Sequence, residues 1–290
     1  MIPLLLSICC STYLVVLFRY FKNHHIDARQ AIVANYITCV ITGIIVSGDV
    51  PDAQTIYQDW FPITLFLGCS FYFIFNLMAF VSANIGITLT SVSGKISMVI
   101  PVTIAVYLYG QELTFLKVSA MILALIAVYL TSKVPEKNQQ ALHAKGLLLA
   151  FLIFIGSGIN DAVINYAFFY FLQPSEFALF NISIFAIAAT AGIFTLLVYS
   201  LFYKSTLSIK SIAGGILLGI PNYFSMLFLL KALAIPGWES SVIFPINNMG
   251  IVILTAVCGL LLFHEKFSKT NIAGILLALI AISLMIGAER

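Results

Sequence analysis

Apolar stretches of about twenty residues recur along the whole chain, separated by short polar gaps, and nothing else in the sequence constrains its fold so tightly. A hydrocarbon core about 30 Å thick takes about 20 apolar residues of helix. Composition agrees: 61% of the 290 residues are hydrophobic and 9% are charged, against about 25% charged in an ordinary soluble domain. The sequence therefore predicts an all-α integral membrane protein whose first partner is the lipid bilayer, with no segment left over for a soluble domain. Fourteen basic and eleven acidic residues leave a net charge of +3. They are too few and too scattered to make the basic face that nucleic acid requires, so no nucleic-acid partner is expected.

Windows of apolar residues between polar breaks predict ten spans: 2–18, 31–47, 61–82, 87–109, 115–132, 146–171, 177–203, 211–231, 239–263 and 270–287. The first run, "MIPLLLSICCSTYLVVLF", has no basic residue before it and no small-x-small cleavage site after it. It reads as a membrane helix stopped by Arg19 and Lys22 rather than as a signal peptide. The polar gap "SKVPEKNQQALHAKG", Ser132 to Gly146, divides the spans evenly. Two units of five spans are expected, 1–132 and 146–290, joined by a linker at 133–145.

The two units match weakly but in order. Asn35 in "IVANYITC" and Asn181 in "ALFNISIF" recur at an offset of 146; "TSV" from Thr90 and "SSV" from Ser240 at 150; "ILALIAVYL" from Ile122 and "LLALIAISL" from Leu276 at 154. An odd number of spans per unit sends the second copy into the membrane from the other side. The repeats are expected to be inverted, the plan of many secondary transporters, whose sites lie near the midplane between the halves. Lysine and arginine fall ten to three in favour of the gaps after spans 1, 5, 7 and 9, which by the positive-inside rule puts those gaps in the cytoplasm and both termini outside. Two five-span halves enclose one site, so a monomer suffices.

With these halves in view, the chain resembles the EamA-type branch of the drug/metabolite transporter superfamily along nearly its whole length. "IPVTIAVYLYGQELT" is similar to that family's proline, apolar run, glycine and glutamate before the fifth helix, and "LTAVCGLLLFHEKFS" to the second copy, with Glu112 and Glu265 as the repeated glutamates. Gln111 interrupts the first glycine–glutamate pair, His264 stands at the second glycine, Ile251 roughly replaces the second proline, and the first helix lacks the family's tryptophan–glycine pair. The resemblance implies a ten-helix transporter of small molecules in a cell membrane, and many members are thought to keep their termini in the cytoplasm.

Lys95, in "SVSGKISMVIP", is the chief oddity of the spans. It lies about eight residues into the fourth, roughly 12 Å along a helix rising 1.5 Å per residue, and a lysine stem reaches about half that far. A charge at mid-helix costs about 2.5–3.5 kcal/mol on insertion scales and usually faces a cavity or a partner. The alternative is a snorkelling lysine on a shorter helix. Gly94 and Pro101 flank it and could open the helix locally, baring backbone groups. Span 6 offers "GSGINDAVINY", where Asn160 or Asp161 shares a face with Asn165, and where Asp161 is either a partner for Lys95 or a proton site. Span 9 offers "PINNMG", where Pro245 takes the repeat position of Lys95 and Asn247 and Asn248 follow. Asn76, Tyr72 and Tyr223 lie on spans expected to face the cleft. Each of these polar groups has a packing role as its alternative. The candidate substrate site is thus Lys95, Asn76, Asn160, Asp161, Asn165, Tyr223, Asn247 and Asn248, with Lys231 and Glu239 as possible gates at span ends.

The function expected is secondary transport of a small polar metabolite, an amino acid or other carboxylate-bearing compound. No Walker loop supports ATP hydrolysis. Efflux of lipophilic cations is the rival, weakened by Lys95 and by the lack of an acid in span 1 but kept alive by Asp161. Neither the histidines, all in polar loops, nor the one clear intramembrane aspartate builds a protease or phosphatase site, so an enzyme is not expected; a structural or receptor role is the remaining alternative. The five cysteines lack CxxC spacing and read as small buried residues, and no metal or cofactor is expected.

Overall fold

The computed structural model describes residues 1–23, 26–84, 87–112, 114–131, 144–202, 207–263 and 268–288, and every regular element among them is helical. The helices are α1 (Ile2–Asn23), α2 (Ala28–Ser47), α3 (Phe61–Asn84), α4 (Ile87–Ile96), α5 (Val99–Tyr109), α6 (Phe115–Thr131), α7 (Ala144–Tyr170), α8 (Phe177–Phe202), α9 (Ile209–Leu233), α10 (Ser240–Phe263) and α11 (Lys269–Gly287). Eight helical stretches are long and apolar enough to cross a membrane, Leu89–Tyr109 being one across α4 and α5. The apolar helical segments Ile2–Phe18 and Phe115–Thr131 are shorter. The outer surface is apolar, with Leu201 81% and Phe202 78% exposed, which suits lipid and not water. The chain is a multi-pass integral membrane protein.

The fourth predicted span is a broken helix. Pro101 has no N–H to give to the Ser97 carbonyl, and its ring crowds that oxygen. The Ile100 N–H takes the carbonyl instead, at 3.0 Å, in a tighter three-residue turn, and the Ser97 hydroxyl donates back to the Gly94 carbonyl at 2.7 Å. The interruption at Ser97–Met98 falls between the two residues the sequence marks as loosening this span. Gly110 ends α5 at φ 65°, a left-handed turn that glycine makes without strain. Glu112 follows on the exposed surface; Glu265 and all four histidines lie outside the described residues.

Because the helices run alternately, the start of α1, the end of α11 and the ends of α2, α5, α7 and α9 share one side, here the terminal face; the end of α6 and the start of α7 lie at the other, here the linker face. α2 packs along α9 and α3 along α8; α9 also takes α1, and α7 takes α3, α4 and α5. α2 meets α8, α5 meets α10, and α6 lies against α11. Lipid gives helices no hydrophobic reason to associate, so close packing and interhelical hydrogen bonds must. On α9, Gly215 faces the Ala31 carbonyl and Ala34, and Gly219 the Asn35 carbonyl and Thr38. Beside them Asn222 Nδ2 donates to Asn35 Oδ1 at 3.2 Å, and Cys39 Sγ to the Gly219 carbonyl at 3.2 Å. One apolar core gathers between α2, α3, α8 and α9, and another between α1, α6, α10 and α11. Of the cysteines only Cys39 is buried; Cys9 and Cys69 lie on the exposed apolar surface, against the sequence expectation, because that surface suits a small apolar side chain as well as the core does.

Candidate functional site

α4 carries Lys95 toward α10. Its Nζ donates to Asn248 Oδ1 at 3.1 Å, joining residues 153 positions apart across the two halves. Asn248 and Asn247 are buried at about two turns from the head of α10. Asp161, on α7, is close enough to Lys95 for each charge to act on the other, yet no ion pair within 4.0 Å joins them. Both side chains are half-buried. Among the described residues none donates a hydrogen bond to Asp161.

α7 and α10 both pack on the broken α4–α5 span, on α4 and α5 for α7 and on α5 for α10, but they do not pack extensively on each other. They meet at the terminal face, where Asn165 Nδ2 donates to Ser240 Oγ at 2.9 Å. Asn165 Oδ1 and Asn247 Oδ1 are buried without a hydrogen-bond partner. An orphaned buried acceptor is costly.

The terminal face is laced shut around that junction. Gln111 Nε2 donates to Ser240 Oγ at 3.1 Å, and its Oε1 accepts from the Ser241 N–H at 3.0 Å. Lys117, 5% exposed, pairs with Glu239 at 2.6 Å, and the Ser241 hydroxyl donates to the same carboxylate oxygen at 2.9 Å. A separate tie joins the loops beyond α2 and α7: Trp60, almost wholly buried, donates from Nε1 to Glu176 Oε1 at 3.1 Å and stands edge-on to Phe180.

The structure thus joins Lys95 to Asn248 and sets Asp161 near Lys95; Asn165 lies one turn along α7 from Asp161 and bonds Ser240, Asn247 is buried beside Asn248 on α10, and the other three of the predicted set lie elsewhere. Asn160 points away from Asp161 to accept from Ser70 Oγ on α3 at 2.6 Å, so Asp161 is the partner in face of Asn165. Asn76 donates to the Tyr72 carbonyl at 2.8 Å and lines an open groove of ≈ 270 Å³ with Arg29, Thr195 and Tyr199. Tyr223 is fully buried in the core against Gly43, its carbonyl accepting from Asn181 at 3.1 Å. Of the two possible gates, Glu239 is in the terminal-face network and Lys231 is exposed. Sequence reasoning missed Ser70, Lys117 and the bridging part of Ser240 and Gln111. For Ser240 the signal was present as the repeat marker "SSV"; a lone serine such as Ser70 carries none.

Fold and site define a polytopic helical-bundle membrane protein that carries a lysine and an aspartate on two packed helices, α4 and α7. No family model matches the chain. An uncharacterized protein of Haemophilus influenzae is 27% identical over 287 residues, covering 96% of this chain and 95% of its own. A protein of known crystal structure superposes with a TM-score of 0.75 at 10% identity, covering 100% of this chain and 96% of its own, a likeness of fold alone.

Proposed function

We propose that this protein is a secondary transporter of the EamA type, carrying a small carboxylate-bearing metabolite, amino acids included, across the cytoplasmic membrane of a bacterium by alternating access. The observation that carries the reading is Lys95, a cation inside the bundle whose one hydrogen bond goes to a neutral amide of the other half. Held that way, an ammonium keeps two of its three donors for an incoming anion.

The inverted repeat is supported by the packing pairs. Exchanging each helix for its counterpart turns α2 on α9 into α8 on α3, α1 on α9 into α7 on α3, and α1 on α10 into α7 on the α4–α5 span, while α2–α8, α5–α10 and α6–α11 map onto themselves. A repeat of this kind gives two conformers of similar energy, the element alternating access needs. With the basic linker face in the cytoplasm, the laced terminal face is the external gate. Asp161, an interior acid in no ion pair, favours lipophilic-cation efflux as the second reading.

The test is thermal stability of the purified chain against amino acids, organic acids, sugars, nucleosides and lipophilic cations, paired with exchange in proteoliposomes. A ligand at a hundred times its Kd stabilises by ≈ 2.7 kcal/mol. Carboxylates are expected to stabilise and exchange through the wild type and to lose both effects in Lys95→Gln. Response to lipophilic cations alone, equal in the variant, overturns the reading in favour of efflux.

A further inference from the structure

Two adjoining hollows open on the linker half of the bundle, away from Lys95. The first turn of α2, the C-terminal half of α3 and the last turns of α8 enclose ≈ 270 Å³ between Arg29, Phe73, Asn76 and Tyr199. A second hollow of ≈ 290 Å³ runs beside it along α8, under Phe194, Val198 and Phe202, and both are lined by Thr195 and Tyr199. Tyr72 lies about 18 Å from the linker-face end of α3 and Phe194 about 12 Å from that of α8. The hollows thus run to the depth of one leaflet, half of a hydrocarbon core about 30 Å thick. Their walls are apolar and face outward, with Phe73 61% and Phe194 67% exposed. Polar groups of the floor bond one another: the Tyr72 hydroxyl with that of Thr195, and Asn76 Nδ2 with the Tyr72 carbonyl. Arg29 is the one charged group lining either hollow among the described residues. Its guanidinium lies 4.5 Å from the centroid of the Tyr199 ring, which fixes it at the mouth. Among the described residues no carboxylate stands within 4.0 Å of that guanidinium. Asp27 caps α2 instead, accepting from the Arg29 backbone N–H at 2.9 Å. A guanidinium stacked on a ring still offers the N–H groups of its planar edge to an anion.

We propose that the two hollows hold one anionic diacyl phospholipid of the linker-side leaflet, its phosphate on the Arg29 guanidinium and one acyl chain in each hollow. This site is independent of the transport reading. One cation at the interface above two apolar hollows matches one anionic headgroup above two chains, and the planar fork of arginine suits the oxygens of a phosphate. A soluble anion would use the arginine and leave the hollows without purpose. A zwitterionic headgroup brings a cation of its own toward Arg29, whereas an anionic one pairs with it uncontested. A second copy packed hollow to hollow about a two-fold axis would bring two Arg29 side chains together, with no acid lining the hollows to part them.

The test takes the full-length chain, delipidated in detergent, and counts bound lipid by native mass spectrometry. The compounds added are palmitoyl-oleoyl phosphatidylglycerol, the phosphatidylcholine with the same chains, lyso-phosphatidylglycerol with a single chain, and inorganic phosphate. In the wild type one phosphatidylglycerol is expected to bind about tenfold more tightly than phosphatidylcholine, the factor that one charge-assisted pair supplies. Arg29→Gln should erase that preference. Val198→Trp, which fills the hollow along α8, should bring phosphatidylglycerol down to the affinity of its lyso form. Equal binding of the two diacyl lipids by the wild type makes Arg29 an ordinary interfacial anchor and overturns the proposal, and that comparison needs no variant to fold. Displacement of the lipid by millimolar phosphate also overturns it, because the site is then one for a soluble anion. So does cross-linking between Val198→Cys chains that phosphatidylglycerol leaves undiminished, because a second copy then covers the hollows.

Discussion

Gly215→Ala and Gly219→Ala test whether backbone-to-backbone packing of α9 on α2 holds the bundle. A methyl at 215 would stand 2.5 Å from the Ala31 carbonyl oxygen and from the Ala34 Cβ, and one at 219 would stand 2.6 Å from the Asn35 carbonyl oxygen and 2.4 Å from the Thr38 Cβ. Those neighbours are backbone or Cβ atoms, which move only if the helix moves. Parting α2 from α9 would stretch the Asn222–Asn35 and Cys39–Gly219 bonds. Overpacking costs about 1–3 kcal/mol, less the fraction of a kcal/mol that alanine gains over glycine in a helix. With a transition that moves about 2–4 °C per kcal/mol, each variant should lose several degrees. Gly94→Ala is the control: its methyl would meet the mobile Met78 Cε at 3.3 Å and little else, so stability should stay within about 0.5 kcal/mol. Thermal unfolding of the three variants in detergent, followed by circular dichroism, is the assay. If Gly215→Ala melts with Gly94→Ala, the close approach does not hold these helices together.

Glu239→Gln removes the partner of Lys117 at the terminal face. Since Glu239 is 32% exposed, its charge is worth on the order of 1 kcal/mol, so labelling of Ser241→Cys by an impermeant maleimide should rise about fivefold; an unchanged rate refutes the gate. Pro101→Ala restores an N–H at position 101 that can take the Ser97 carbonyl from Ile100, and should make α4 and α5 continuous. Stability is then expected to rise and exchange to fall, and a variant that exchanges normally shows the break to be dispensable. In the loop after α2, the Thr55 hydroxyl and the backbone hold Asp52 below the usual carboxylate range. A depressed carboxylate stabilises above its unfolded pKa and loses that contribution as pH falls through its folded value. Amide exchange at Gln54 and Thr55, whose N–H groups Asp52 accepts, should therefore quicken only under acid conditions; equal rates across the acid range sink the assignment.

The spans were legible because lipid demands a length of apolar chain, and every predicted span lies within a few residues of a helix. The break in the fourth was legible as Pro101. Which way a helix faces was harder to read. Where lipid and core are both apolar, Cys69 on the surface and Cys39 in the core look alike in sequence, and Tyr223 could be assigned to a cleft although it is packed in the core. Polar residues inform only when their partner is known. Lys95 was conspicuous for its cost, but its bond to Asn248 depends on how two halves 153 residues apart register. Asn160 and Asp161, adjacent in sequence, part by about 100° around α7 and serve different neighbours.

On the proposed repeat, the two halves differ at two positions of the fourth span. At the repeat position of Lys95 the second half has Pro245, and at that of Pro101 it has Ile251. The first half therefore supplies a broken helix bearing a charge, and the second an unbroken α10 bearing two amides, despite a proline within it. Pro245, five residues from the head of α10, does not stop the helix, whereas Pro101 divides the α4–α5 span near its middle. A strict repeat would set like groups opposite one another, lysine against lysine, at a cost of several kcal/mol in repulsion. Divergence at these two positions instead sets a cation against neutral acceptors and leaves Asp161, on the first helix of the second half, as the compensating charge. The break between α4 and α5 begins two residues from Lys95, so that movement of α4 against α5 would move the Lys95 ammonium directly.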